Sequence, residues 1–177
     1  MKKGTVALVI MGTMWLLLLG APSPGVAQYL GETTWTVSIT QDEYGPKSNT
    51  SIMTGAITRA GGAYYTMQGY ANPPGDAPFI LAGGGVLIGQ TLYLTLTASQ
   101  LHTNSPDNWR DTSVMQFQLD KTTLNGTLYE VGHDFKLSSA GPSPIFGSQF
   151  AAGTVTRTGP AINLTPGVPL SLLLLEK

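Results

Sequence analysis

The chain contains no cysteine, two histidines and few charges, with nine lysines and arginines and ten aspartates and glutamates in 177 residues. Without cysteine there is no disulfide, no thiolate metal site, no lipid-modified cysteine and no thiol nucleophile. A small exported domain of this kind is held together by packing and by closure of its own sheet. Charge so sparse and balanced excludes the basic surface that nucleic acid requires, and nothing in it favours an anionic membrane surface. Amphipathic helical periodicity is missing too. After the first nineteen residues no apolar run approaches the ~20 residues of a membrane-spanning helix.

Catalytic signatures are equally scarce. There is no Gly-x-Ser-x-Gly elbow and no His-x-x-x-His pair, and Gly83-Gly84-Gly85 with Gly89 lacks the following helix that a phosphate loop needs. His102 and His133 fall in separate connections and read as solvated loop residues. The stretch from Asn104 to Asp111 offers oxygen atoms without the spacing of a calcium loop. These absences predict no catalytic residues, no metal and no cofactor.

What is present begins with a leader. Lys2 and Lys3 precede the apolar run Val6–Leu19, and Pro22-Ser23-Pro24-Gly25 breaks it before Val26-Ala27. That is the pattern of a signal peptide, residues 1–27, cleaved after Ala27, and the Met-Lys-Lys start is of the bacterial kind. The expected location is the periplasm or the exterior. Residues 28–160 form one β-barrel domain in this reading, and 161–177 a Pro- and Leu-rich tail. Leu172–Leu175 in that tail needs cover, so the tail should pack on the barrel.

Residues 28–160 are rich in Thr, Ser, Gly and Gln, with apolar residues at period two. Trp35-Thr36-Val37-Ser38-Ile39-Thr40, Leu92-Tyr93-Leu94-Thr95-Leu96-Thr97 and Met115-Gln116-Phe117-Gln118-Leu119 each bury one face and wet the other. Eight such segments are expected, at 34–41, 50–59, 63–71, 78–88, 91–99, 112–119, 124–131 and 149–158. Their connections alternate long and short, which in a meander places all the long loops at one end. The predicted fold is all-β, a single eight-stranded antiparallel up-and-down barrel, shaped as a cup. Gly55, Gly69, Gly126 and Gly153 fall mid-strand in the inward phase, where they permit the coiling that closure demands or leave room for a ligand. Curvature is the preferred reading.

The first strand opens with Gly31-Glu32-Thr33-Thr34-Trp35, and the last ends in Thr154-Val155-Thr156-Arg157. This resembles the lipocalin and avidin-like (calycin-type) barrels, whose first strand carries Gly-x-Trp. Here three residues rather than one separate the glycine from the tryptophan. In lipocalins an arginine of the last strand packs over that tryptophan. The resemblance implies a barrel whose closed end is marked by the structural pair Trp35 and Arg157. No biotin-contacting residue of avidins maps onto the chain.

At the open end Trp109, expected in the fifth connection, could cap a ligand, while Tyr65, Met67, Met115 and Phe117 are the interior candidates. The function expected is non-enzymatic binding of a small apolar ligand. The alternatives are a barrel that binds a secreted protein partner, as an inhibitor would, a homo-oligomeric structural barrel using outward tyrosines, and, further behind, a small outer-membrane barrel.

Overall fold

The computed structural model describes residues 26–74, 77–102, 108–137 and 145–164. Residues 1–25 of the expected leader, 1–27, and the tail from 165, with Leu172–Leu175, lie outside the described residues. Eight strands run β1 (Gln28–Asp42), β2 (Gly45–Gly61), β3 (Tyr64–Asn72), β4 (Phe79–Ile88), β5 (Thr91–His102), β6 (Asn108–Asp120), β7 (Gly126–Leu137) and β8 (Ile145–Arg157). Each pairs antiparallel with the next, and β8 returns to β1, so the sheet is a closed up-and-down barrel.

Period-two patterning decides which side chains enter the barrel. Trp35, Val37, Met53, Ile57, Tyr65, Met67, Leu81, Leu92, Leu94 and Leu96 are buried. On β3 the alternation is complete at Tyr64 through Met67, where Tyr65 and Met67 face in while Tyr64 and Thr66 face out. Each such inward residue contributes about 1.5–3 kcal/mol by leaving water. A slip of one residue would expose the whole set, so the register is strongly determined.

Several strands are longer than their hydrophobic patterns indicate. β1 starts at Gln28, β2 at Gly45 and β6 at Asn108, while β7 continues to Leu137. The loops expected at 42–49, 100–111 and 132–148 shrink accordingly, and the first becomes a two-residue hairpin between Asp42 and Gly45. An Asp42 carboxylate oxygen accepts the Tyr44 N–H at 2.8 Å within that hairpin, and Gly45 takes φ +111°. At the outer ends of β1 and β2 neither face is buried, so pairing continues without any alternation to reveal it. The simple long–short alternation of loops is therefore not what the molecule has, although the meander it suggested is.

The inward glycines act chiefly on curvature. A Cβ on Gly69 would run into the backbone of Thr54 and Gly55, and one on Gly153 into that of Ser38 and Ile39. These positions let neighbouring strands approach at a coiled angle no other residue permits. Gly55 differs, because the space it leaves is filled by the Met67 side chain.

The closed end is built around Trp35. Its indole N–H donates to the Leu124 carbonyl at 2.9 Å in a fully buried contact. Leu124 sits in the β6–β7 turn at φ +57°, a conformation that costs a non-glycine residue about 1–2 kcal/mol. The Asp120 carboxylate holds that turn, accepting the Thr122 and Thr123 N–H groups and the Thr123 hydroxyl at 2.8–3.0 Å, which keeps its pKa below the ordinary carboxylate range. Arg157 lies opposite Trp35 in the β1–β8 register. Its guanidinium donates to the Thr123 and Gly159 carbonyls at 2.9 and 2.7 Å, tying the turn to the chain leaving β8.

That chain then seals the base. Thr158 and Gly159 donate backbone N–H groups to the Thr34 carbonyl, and the Thr33 hydroxyl donates to that of Pro160 at 2.6 Å. Ile162 and Leu164 are buried in the core, and the Tyr65 hydroxyl donates to the Leu164 carbonyl at 2.6 Å. Burial raises the Tyr65 pKa, with Arg59 partly opposing, so the phenol stays a donor. Tyr65→Phe should therefore lower stability by about 1–2 kcal/mol, because a buried carbonyl loses its partner. Guanidinium denaturation would check this as a lower midpoint with an unchanged slope.

Candidate functional site

Packing is uneven along the barrel. The lower half is filled by Trp35, Ile57, Tyr65, Met67, Leu92, Leu119 and Leu124, with Ile162 and Leu164 beneath. Higher up, a cavity of about 120 Å³ opens among Val37, Met53, Ala71, Phe79, Phe117 and Leu128. Its lining is apolar except for Ser51 and Glu130. Engineered apolar cavities of about 150 Å³ stay dry and take benzene, so this space is of the size class that accepts one ring or a short chain.

Above it lies a second, polar space of about 280 Å³, lined by Asp42, Glu43, Asn49, Gln100, Asp111, Glu130 and Gln149. Ile39, Phe79 and Glu130 border both spaces, so the two are adjacent and Glu130 stands where apolar gives way to polar. The strands explain this placement. On β7 the inward phase runs Gly126, Leu128, Glu130, and Glu130 pairs in register with Met115 and Ala151. On β6 the inward phase runs Leu119, Phe117, Met115, Ser113, Asp111, and on β5 it passes from Leu96 through Ala98 to Gln100.

Glu130 is electrostatically uncomfortable. Burial pushes its pKa up, the Ser113 hydroxyl beside it opposes, and the charges of Asp111 and Glu43 push it further up. Among the described residues no Lys, Arg or His lines either space. Lys47, nearby at the rim, is engaged with Asp42 at 3.3 Å and lies over the Tyr44 ring at 5.3 Å. The Glu43 carboxylate accepts the Phe150 N–H at 3.2 Å. Gln100 is 2 % exposed, its amide N–H donates to the Ala77 carbonyl, and its Oε1 is buried with no partner. Among the described residues no three His, Asp or Glu side chains are arranged to hold a metal ion.

The residues expected to bind ligand separate into groups. Phe117 and Met115 line the cavity. Tyr65 and Met67 belong to the packed lower half, Tyr65 bonded to Leu164 and Met67 filling the space beside Gly55. Trp109 lies in β6 rather than in a loop, with its backbone paired to His102 and Lys136, and its side chain is outside the described residues. His133 faces outward from β7, with Nδ1 3.3 Å from the Ser148 hydroxyl, not over the mouth. Trp35 and Arg157 are structural neighbours at the base.

The polar residues of the mouth, Glu130, Gln100, Asp111 and Ser113, were not among the candidates read from the sequence. Their signal was present as polar side chains in the apolar phase of a strand. Compared with models of known protein families, with curated proteins and with solved structures, the chain gives no significant match.

A carboxylate held against apolar surroundings weakens the fold when it is charged. A raised folded-state pKa means stability is fully present below the ordinary glutamate value of 4.5 and falls as pH rises through the folded value. Glu130→Gln should therefore be more stable than the parent chain at neutral pH, with the difference vanishing below about pH 4. Denaturation midpoints measured across that range would check it.

Proposed function

We propose that this chain is an exported, soluble barrel that binds a small apolar molecule in its upper interior. The observation that carries the reading is the apolar cavity among Val37, Met53, Ala71, Phe117 and Leu128, adjacent to a polar space. Small-molecule sites in up-and-down barrels have this form, an apolar wall with a few polar groups at one end. The lower half supports the reading as well, since a tightly packed base gives the cavity a rigid floor.

The two faces of the wall support a barrel that stands in water. A membrane barrel turns apolar residues outward and polar ones inward. Here the buried face is Trp, Val, Ile, Met, Leu and Phe, while the outward face is mixed, with Thr34, Thr36, Ser38 and Thr40 on β1 and exposed Tyr64, Ile80, Tyr129 and Val131 on other strands. The described residues contain no helix long and apolar enough to cross a membrane, a fact that bears only on helical spans. The Gly31…Trp35 opening and Arg157 on the last strand add a resemblance to lipocalin and avidin-like barrels, which enclose ligands in the same place.

Calorimetric titration with neutral apolar probes of ring or short-chain size, benzyl alcohol and 1-hexanol, tests the reading. Binding should be saturable, and Ala71→Leu, which extends a lining residue into the cavity, should weaken it by about tenfold or more while changing stability by less than about 1.5 kcal/mol. Equal affinity for the filled and unfilled barrels would place any binding elsewhere.

A further inference from the structure

The outer wall of the barrel is not the same all the way round. On β8 and β1 it presents hydroxyls, Thr154 and Thr156 beside Thr34, Thr36 and Ser38. On β3–β5 it carries large apolar side chains instead. Of the twelve that the described residues leave exposed, five lie on these three strands, Tyr64, Tyr70, Ile80, Ile88 and Tyr93, with Ile80 69 % and Tyr64 65 % exposed. The register gathers them into one face. Tyr64, Val86 and Tyr93 stand side by side at its lower end, and Tyr70, Ile80 and Ser99 at its upper end. Between these rows the outward positions of β4 are Ala82 and Gly84, so the centre of the face is low and its ends are raised. Thr97 turns its hydroxyl onto the sheet, donating to the Ala82 carbonyl at 3.0 Å, which removes one demand for water. Thr66, Gln68 and Thr95 complete the face, with Gln116 and Gln118 at its border. All these positions are described, and none is Lys, Arg, Asp or Glu.

We propose that this wall is where a second copy of the chain docks, β4 lying over β4 in a two-fold dimer. The inference is independent of what the barrel encloses. Apolar and aromatic side chains without charge, bordered by hydroxyl and amide groups, have the composition of an interface core rather than of a surface left in water. The shape is self-complementary. A two-fold axis in the plane of the contact, passing by Ala82 and Gly84, sets the small residues of one copy against those of the other, where the sheets can approach to the ~10 Å of packed faces. Strands about 4.8 Å apart and residues about 3.3 Å apart give this wall, with the flanking β2 and β6, a plan of roughly 24 by 20 Å between the levels of Tyr64 and Tyr70. Side-chain relief raises its accessible area toward the roughly 800 Å² that each partner of a stable complex buries. A charged partner would find nothing here to pair with, and a carbohydrate would leave Ile80 and Ile88 without apolar cover. The chain's own tail, which follows Leu164 beneath Tyr65 of β3, is the competing occupant.

Sedimentation equilibrium of the folded protein from about 1 to about 100 µM tests the dimer. The mass should rise to twice that of the single chain within this range and should not change with added salt, because no ion pair contributes. Ala82→Arg sets two like charges against each other at the centre and should weaken association by about a hundredfold or more. Thr154→Arg, on the hydroxyl-bearing wall, should leave it unchanged. Both replace exposed residues, and denaturation of dilute protein should give each variant the midpoint of the parent chain. A parent chain that stays a single copy at about 100 µM overturns the proposal. If Ala82→Arg also lowers the stability of that single copy, the wall is covered by the chain's own tail. A dimer that Ala82→Arg leaves intact overturns the assignment to this face.

Discussion

Everything in this molecule depends on the closure of β8 onto β1 and on the buried hydrogen bond that locks it at the base. A sheet of eight strands with open edges would leave unpaired N–H and C=O groups along both. Closure satisfies them and encloses the apolar phase of every strand at once. Trp35 sits on the closing strand, and its indole N–H holds Leu124 of the β6–β7 turn across the bottom. Arg157, opposite it on β8, binds that same turn to the segment that follows. The base is thus a single knot of four chain segments, and Ile162 and Leu164 complete its packing.

A rigid, filled base has a consequence for the rest of the interior. The base is filled by large side chains, and above it Phe117, Met53 and Met115 share the wall with smaller residues, Val37, Ala71 and Ser51, that leave space between them. Interiors normally pack as densely as organic crystals, so an opening of about 120 Å³ inside a closed wall departs from what stability alone would select. Glu130 departs from it in the same direction. Proteins tolerate such local costs where the site is used, and cavity and strained carboxylate here are the two halves of one place.

The barrel was legible because its signals were redundant. Segments such as Trp35 to Ile39 and Leu92 to Leu96 alternate cleanly, and the breaks between them carry glycine or polar residues. The strand ends were not legible, since Pro46–Asn49 pairs where neither face is buried and no periodicity is imposed. Of the interior, Met115 and Phe117 could be seen to face inward, but not that Met67 would be consumed by the gap beside Gly55. Phase gives the face and never the height, and height is what separates packed floor from cavity wall. Glu130 and Gln100 were written in the sequence as polar residues in an apolar phase.

The claim on which the account stands is that the upper barrel is an open apolar space rather than a filled core. A crystal structure of the protein under xenon pressure tests this directly, because xenon occupies dry apolar cavities and is excluded from packed ones. The account predicts a xenon peak between Val37, Met53, Phe117 and Leu128, above the floor set by Trp35 and Met67. A barrel whose side chains close over that point, with no xenon bound inside, would contradict it.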